Sequence, residues 1–171
     1  PRNPIEKPGY TLEFNDDFDE PTLNPDNWIP YYLPQWSSRE RSAPHYTFAD
    51  SALILQIEED QEPWCPEFDG NVKCSSIQTG LFAGPVGSSL GQHQFKNHLI
   101  VREAQTTQRT YTPRYGYFET RIKAVKSTNS LVALWMIGFE EVPEESGEIV
   151  VFEVFGDQIT ESGAEVRYGV H

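Results

Sequence analysis

The run Glu145-Ser146-Gly147-Glu148-Ile149-Val150-Val151-Phe152-Glu153-Val154-Phe155-Gly156 constrains this chain more than any other stretch. β-Branched and aromatic residues between two glycines read as a strand. Two carboxylates interrupt the apolar run, and a buried carboxylate is costly unless it is paired or used. Strict alternation puts Glu148 and Glu153 on opposite faces, because their separation is odd. One β-bulge between them adds a residue and returns both to the same face. They then stand like positions i and i+4, with Cα atoms about 13 Å apart at about 3.3 Å per residue. Two glutamates leaning together from there can approach the spacing of about 5–5.5 Å that a retaining glycosidase needs between its carboxyl groups. The alternative is an edge or solvent-facing strand whose glutamates are simply hydrated.

Composition narrows the partner. At 171 residues the chain suits one domain, spanning 1–171, long enough to bury roughly 70% of its unfolded surface. Thirteen basic against 26 acidic residues leave a net charge of −13, which repels nucleic-acid phosphates and anionic membranes. The expected ligand is therefore neutral or cationic. No apolar run reaches the length that spans a bilayer. The chain begins at Pro1 without a charged-then-apolar signal segment, which reads as either a processed mature chain or an expressed portion of one.

The two cysteines, Cys65 and Cys74, flank a loop rich in turn residues, Pro66-Glu67-Phe68-Asp69-Gly70-Asn71-Val72-Lys73. They read as one local disulfide formed in an oxidising compartment. Two free thiols in a cytosolic chain is the alternative, and zinc is disfavoured because no histidine stands at ligand spacing.

Helical periodicity is nearly absent, while short β-type runs recur between turn signals, as in a sandwich. The expected strands are 10–14, 46–48 and 53–57 around an Ala49-Asp50-Ser51 turn, 76–82, 115–124, 131–136, the Glu148 strand and 164–171. A weaker run lies at 99–102. Residues 29–44 and 58–75 read as loops, and 83–110 as an insertion or a cleft-side loop.

The central run resembles the active-site strand of glycoside hydrolase family 16, whose signature is Glu-x-Asp-x-x-Glu within Gly-Glu-Ile-Asp-x-x-Glu. Gly147, Glu148, Ile149 and Glu153 fit it, and Val150 stands where the family has Asp. The stretch Phe14-Asn15-Asp16-Asp17-Phe18 and the later Leu23-Asn24-Pro25-Asp26-Asn27-Trp28 resemble the family's opening. Tyr115-Gly116-Tyr117-Phe118-Glu119-Thr120-Arg121-Ile122-Lys123 and Ala133-Leu134-Trp135 are similar to its next blocks, in the same order. The family continues past the point where residue 171 falls, so the resemblance implies further C-terminal strands.

That resemblance implies an all-β fold, a β-sandwich of jelly-roll type with a concave substrate cleft. It implies that Glu148 is the nucleophile and Glu153 the general acid/base. Val150 cannot make the hydrogen bond that the family's Asp gives the nucleophile. A working enzyme with a substitute donor and a binding module that keeps the cleft are both open. Alternation puts Glu165, Arg167 and His171 on one face, where Arg167 or His171 could supply a substitute or form part of a solvated polar face.

Trp135 matches the family's cleft tryptophan, a platform for the C–H face of a sugar. Trp36, in Gln35-Trp36-Ser37-Ser38-Arg39-Glu40, sits where relatives carry a Trp-Gly-Asn-x-Glu loop, so Trp36 and Arg39 are candidates for sugar binding. Trp28 and Trp64 read as structural. Glu119 and Arg121 read as cleft-side polar residues or as a cross-strand ion pair. No cofactor is required, although some relatives hold a structural calcium near the position of Glu13.

The resulting expectation is a secreted, monomeric, retaining endo-hydrolase of β-linked polysaccharide, such as a β-1,3- or mixed-linkage glucan. A catalytically silent glucan-binding module and a cell-wall transglycosylase with the same dyad are the rivals.

Overall fold

The computed structural model describes residues 4–171. As expected, its architecture is all-β, with every paired strand antiparallel. Strands β1 (His45–Phe48) and β2 (Leu53–Gln56) form a hairpin. Its turn needs left-handed backbone at Asp50 (φ 54°) and Ser51 (φ 55°), the twist that suits a two-residue connection. The short strands β3 (Gly80–Leu81) and β4 (Gln108–Arg109) make a second pair.

The third sheet holds the central run. Strands β5 (Leu131–Ile137), β6 (Glu148–Phe155) and β7 (Arg167–Val170) lie in the order β5-β6-β7. β6 ends where Gly156 meets the turn before β5. A Cβ at Gly156 would collide with the Ser127 carbonyl oxygen and the Ser130 hydroxyl, so only glycine lets these two segments touch. The Gly156 N–H donates to the Ser130 carbonyl at 2.9 Å.

Three expected strands form no ladder among the described residues. In segment 99–102 the alternation reports burial, since Leu99 and Val101 are core residues and Val101 bonds to the 87–88 turn. In segment 10–14, Phe14 packs against Trp28 and Tyr111 while Tyr10 and Leu12 stay exposed. Segment 115–124 carries exposed Tyr115, Tyr117, Phe118 and Ile122 without a paired strand. Alternation encodes a one-sided face; a strand also needs a neighbour.

The core is built from loops as much as from strands. Leu33, Trp36, Trp64, Cys65, Leu99 and Val101 form a buried cluster, and Tyr32, Phe95, Trp135 and Ile137 pack against it. Trp36 is 0% exposed and donates its indole N–H to the Gln92 carbonyl at 2.9 Å. Gly91 passes so close that a Cβ there would lie 3.0 Å from the Trp36 ring. Gln35 donates to the same Gln92 carbonyl at 3.1 Å, and the Gln92 side chain accepts from Phe82 N–H at 2.8 Å. The segment around residue 92 is therefore pinned to the tryptophan core.

The expected disulfide is absent. Cys65 and Cys74 are both free thiols. Cys65 is wholly buried and donates its Sγ–H to the Trp36 carbonyl at 3.3 Å. Other bonds close the loop: Trp64 N–H to the Val72 carbonyl at 3.0 Å, the Trp64 indole to Asp69 at 2.9 Å, and Gln61 to the Cys74 carbonyl at 2.8 Å. The turn-rich stretch is a loop except for one helical turn at Pro66–Asp69, and core packing took the place of the covalent link.

Candidate active site

The expected bulge is present. On β5, Leu134 and Trp135 are consecutive, yet their partners on β6 are Phe152 and Val150. Val151 is the extra residue. Pairing with β7 shows the same step, with Val150 opposite Gly169 and Glu153 opposite Arg167. Directly paired residues share a face in an antiparallel sheet. Ile137, Trp135 and Ala133 alternate on β5 and pair with Glu148, Val150 and Glu153 in turn. All six therefore belong to one face, and Glu148 and Glu153 lie on it together, both half-buried.

Two expected neighbours join that face from β7. Glu148 and His171 exchange both backbone hydrogen bonds, at 3.1 and 2.9 Å, so His171 stands directly opposite Glu148. Arg167 stands opposite Glu153. Its guanidinium lies 4.6 Å from the Phe155 ring centroid, and its Nε donates to Glu165 at 2.9 Å. The guanidinium is thus anchored by an aromatic ring and by the Glu165 carboxylate.

Trp135 is half-buried on the dyad face and adjoins Tyr32, with ring centroids 6.3 Å apart. His93, from the 83–110 segment, lies closer, its ring centroid 4.8 Å from that of Trp135. On the imidazole's other contact, Phe95 stacks at 5.8 Å. Burial pulls the His93 imidazole below its ordinary range, and the Glu148 carboxylate acts on it in the opposite sense. Tyr32 is also affected by Glu148: burial, then Cys74, Asp69 and Glu148, push its hydroxyl far up. Tyr32 and His93 thus border the same end of the face as Glu148.

The His93 backbone is held firmly. Its N–H donates to the Glu140 carboxylate at 2.9 Å, and both residues adopt left-handed backbone, with φ of 53° and 60°. Glu140 is 8% exposed, and burial raises its pKa while the His93 N–H opposes that shift. Sequence reading placed a cleft-side loop here as one of two options but singled out none of Tyr32, His93 and Glu140. The available signal was weak: a histidine following Gly91-Gln92, one of two in an otherwise patternless stretch.

Other expected contributors have contacts of their own. Trp36 is a core residue whose ring is covered by protein, so it offers no face to a sugar; this corrects its assignment as a platform. Arg39, at the start of α1 (Arg39–Ser42), pairs with Glu103 at 3.6 Å and donates to the Ala104 carbonyl at 3.0 Å. Glu119 lies on the exposed 115–124 segment and accepts from the Tyr117 hydroxyl at 3.1 Å. Glu13 accepts from the Tyr111 hydroxyl at 3.4 Å. Among the described residues no group of three or more His, Cys, Asp or Glu side chains is placed to hold a metal ion.

Two surface hollows, of about 240 and 310 Å³, lie against residues 15–27 and against the Ser37–Arg41–Glu67–Arg102 cluster. Neither is lined by Glu148 or Glu153. No described helix is long and apolar enough to cross a membrane.

No protein-family model and no curated protein matches the sequence. Among solved structures, the chain is similar to the GlcNAcα1-4Gal-releasing endo-β-galactosidase from Clostridium perfringens, with 32% identity and a TM-score of 0.79. The likeness covers 99% of this chain and 46% of that one, so the chain spans about half the length of the protein it resembles. With its antiparallel sheets and few helices, the chain has the β-sandwich fold of a glycoside hydrolase.

Proposed function

We propose that the chain carries the catalytic dyad of a retaining, endo-acting glycoside hydrolase, with Glu148 as nucleophile and Glu153 as general acid/base. The observation that carries this reading is the Val151 bulge, which puts both glutamates on one face of the sheet. In double displacement, the Glu148 carboxylate attacks the anomeric carbon while Glu153 gives its proton to the departing glycosidic oxygen. A water molecule then gives a proton to Glu153 and attacks the same carbon, releasing Glu148. The Trp135 ring edges the site and offers an apolar platform to a sugar ring.

The similar solved structure is named as an endo-β-galactosidase, and this favours a β-galactosidic linkage within a longer glycan as the substrate. β-1,3- and mixed-linkage β-glucans are the second class to test. A polymeric glycan is met outside the cell, which is the reason for proposing a secreted protein. One observation favours a silent glycan-binding module instead: Val150 leaves the nucleophile without the carboxylate neighbour of the Glu-x-Asp-x-x-Glu pattern. The deciding experiment incubates the protein with β-galactan, galactose-containing mucin glycans and β-glucans and sizes the products. Internal cleavage of any of them supports the enzyme; binding to a glycan without new reducing ends supports the module.

A further inference from the structure

We infer that His93 is a substrate-binding residue, whose imidazole hydrogen-bonds a ring hydroxyl of the sugar held against Glu148. This rests on the glycosidase reading of the dyad and adds a residue that the dyad motif does not contain.

The core that backs His93 is aromatic. Tyr32, Trp64, Phe95 and Trp135 form a continuous series of ring contacts, with Tyr32 4.7 Å from Trp64 and 6.3 Å from Trp135, and Phe95 5.7 Å from Trp64. His93 joins this series at Trp135 and Phe95. Its two ring nitrogens bring directional polar atoms to an otherwise largely apolar wall, which is how a few polar groups orient a ligand in an aromatic site. In its neutral form the imidazole has one donor and one acceptor nitrogen, which match a sugar hydroxyl that both gives and takes a hydrogen bond.

The placement is fixed in advance. Gln92 is tied through its carbonyl to Trp36 and Gln35 and through its side chain to Phe82. The next residue is then held by Glu140 through the backbone N–H. None of these bonds uses the imidazole, so the ring is positioned by the backbone while its polar atoms are left for another role. Trp135, on which it packs, is the cross-strand partner of Val150. The imidazole therefore borders the dyad face beside Trp135, at the end where Glu148 lies. Burial favours the neutral ring and the Glu148 carboxylate opposes that, while Glu140 holds the His93 backbone N–H and Tyr32 borders the same end.

The test uses the Glu148→Gln protein, which should bind without turnover, and a β-galactosyl trisaccharide as probe. Calorimetric titration is compared for this parent and for versions that also carry His93→Phe or His93→Asn. The expected result is about 10- to 100-fold weaker binding for His93→Phe, the range for losing a site built to hydrogen-bond a hydroxyl. His93→Asn, which keeps a donor and an acceptor, should stay within about fivefold of the parent. A set of monodeoxy trisaccharides should include one for which His93→Phe causes no loss, an outcome that disturbed packing would not produce. Equal affinity of the parent and His93→Phe, or an identical loss for every deoxy sugar, overturns the inference while leaving the dyad untouched. If the wild type cleaves no glycan and the parent binds neither the trisaccharide nor a β-glucan oligosaccharide, the glycosidase reading falls, and this inference with it.

Discussion

Trp135 is the cross-strand partner of Val150. The family-like signature expects an aspartate at the position Val150 fills, and the structure has a 5% exposed valine beside an indole. A carboxylate introduced here would be desolvated against Trp135 and set between Glu148 and Glu153. Val150→Asp should therefore lower stability by about 1–3 kcal/mol and leave turnover unchanged or lower. Crowding a third acid between two others should also displace the pH–rate profile. Denaturant unfolding with steady-state kinetics checks this. A rise in turnover of about tenfold, about 1.4 kcal/mol of barrier, would identify a decayed site that an aspartate repairs.

Trp36 separates a core role from a sugar-binding role. Trp36→Phe removes the indole bond to Gln92 and part of the core volume. It should cost about 1.5–3 kcal/mol of stability and leave KM within about twofold. Chemical denaturation and glycan kinetics give both numbers. A large rise in KM with unchanged stability would return Trp36 to the substrate.

The pairing of Glu148 and Glu153 on one face was suggested before the fold by the resemblance of their run to the Glu-x-Asp-x-x-Glu strand; their odd spacing alone left a bulged strand and a hydrated edge strand both open, and the register decides for the bulge. The 45–56 hairpin was legible too, since Ala49-Asp50-Ser51 suits tight-turn backbone. Trp36 was misread because a tryptophan in a polar loop looks the same whether it faces a sugar or a neighbouring loop. The bonds that bury it come from residue 92, far along the chain. His93 was missed for the same reason: its partners Glu140 and Trp135 lie more than 40 positions away. Cysteine spacing could not show that the Cys65 thiol is spoken for by a carbonyl.

The thiols give a chemical prediction. Without reductant, the denatured chain should titrate as two free thiols, and the native chain should react slowly. Burial pushes both groups up, Cys74 to about 12 from an ordinary 9.0. A raised thiol pKa means that the folded state holds its proton while the unfolded state loses it. This contribution to stability is complete below about pH 9 and is lost as pH rises toward 12. Replacing Cys74 by alanine should flatten that alkaline decline. A thiol count near zero in the unreduced, denatured chain would restore the disulfide.

Gly156 tests the junction between β5 and β6. Gly156→Ala places a methyl group against the Ser127 carbonyl and the Ser130 hydroxyl, both close to the start of β5. The strands should part locally, at about 1–3 kcal/mol, with a fall in turnover because Glu153 lies three residues away on β6. Thermal unfolding and activity should decline together. A variant as stable as the wild type would show that the two segments are not held in this contact.

The most direct measurement for the dyad is the anomeric configuration of the first product. Proton NMR should follow cleavage of a β-linked galactan, or of whichever β-glycan the product sizing identifies, from the first minutes. Two glutamates on one bulged face predict that the β-anomer appears first and mutarotates only later, and that Glu148→Gln loses turnover by orders of magnitude while still binding the glycan. Initial accumulation of the α-anomer, or full turnover by Glu148→Gln, would contradict the double-displacement account.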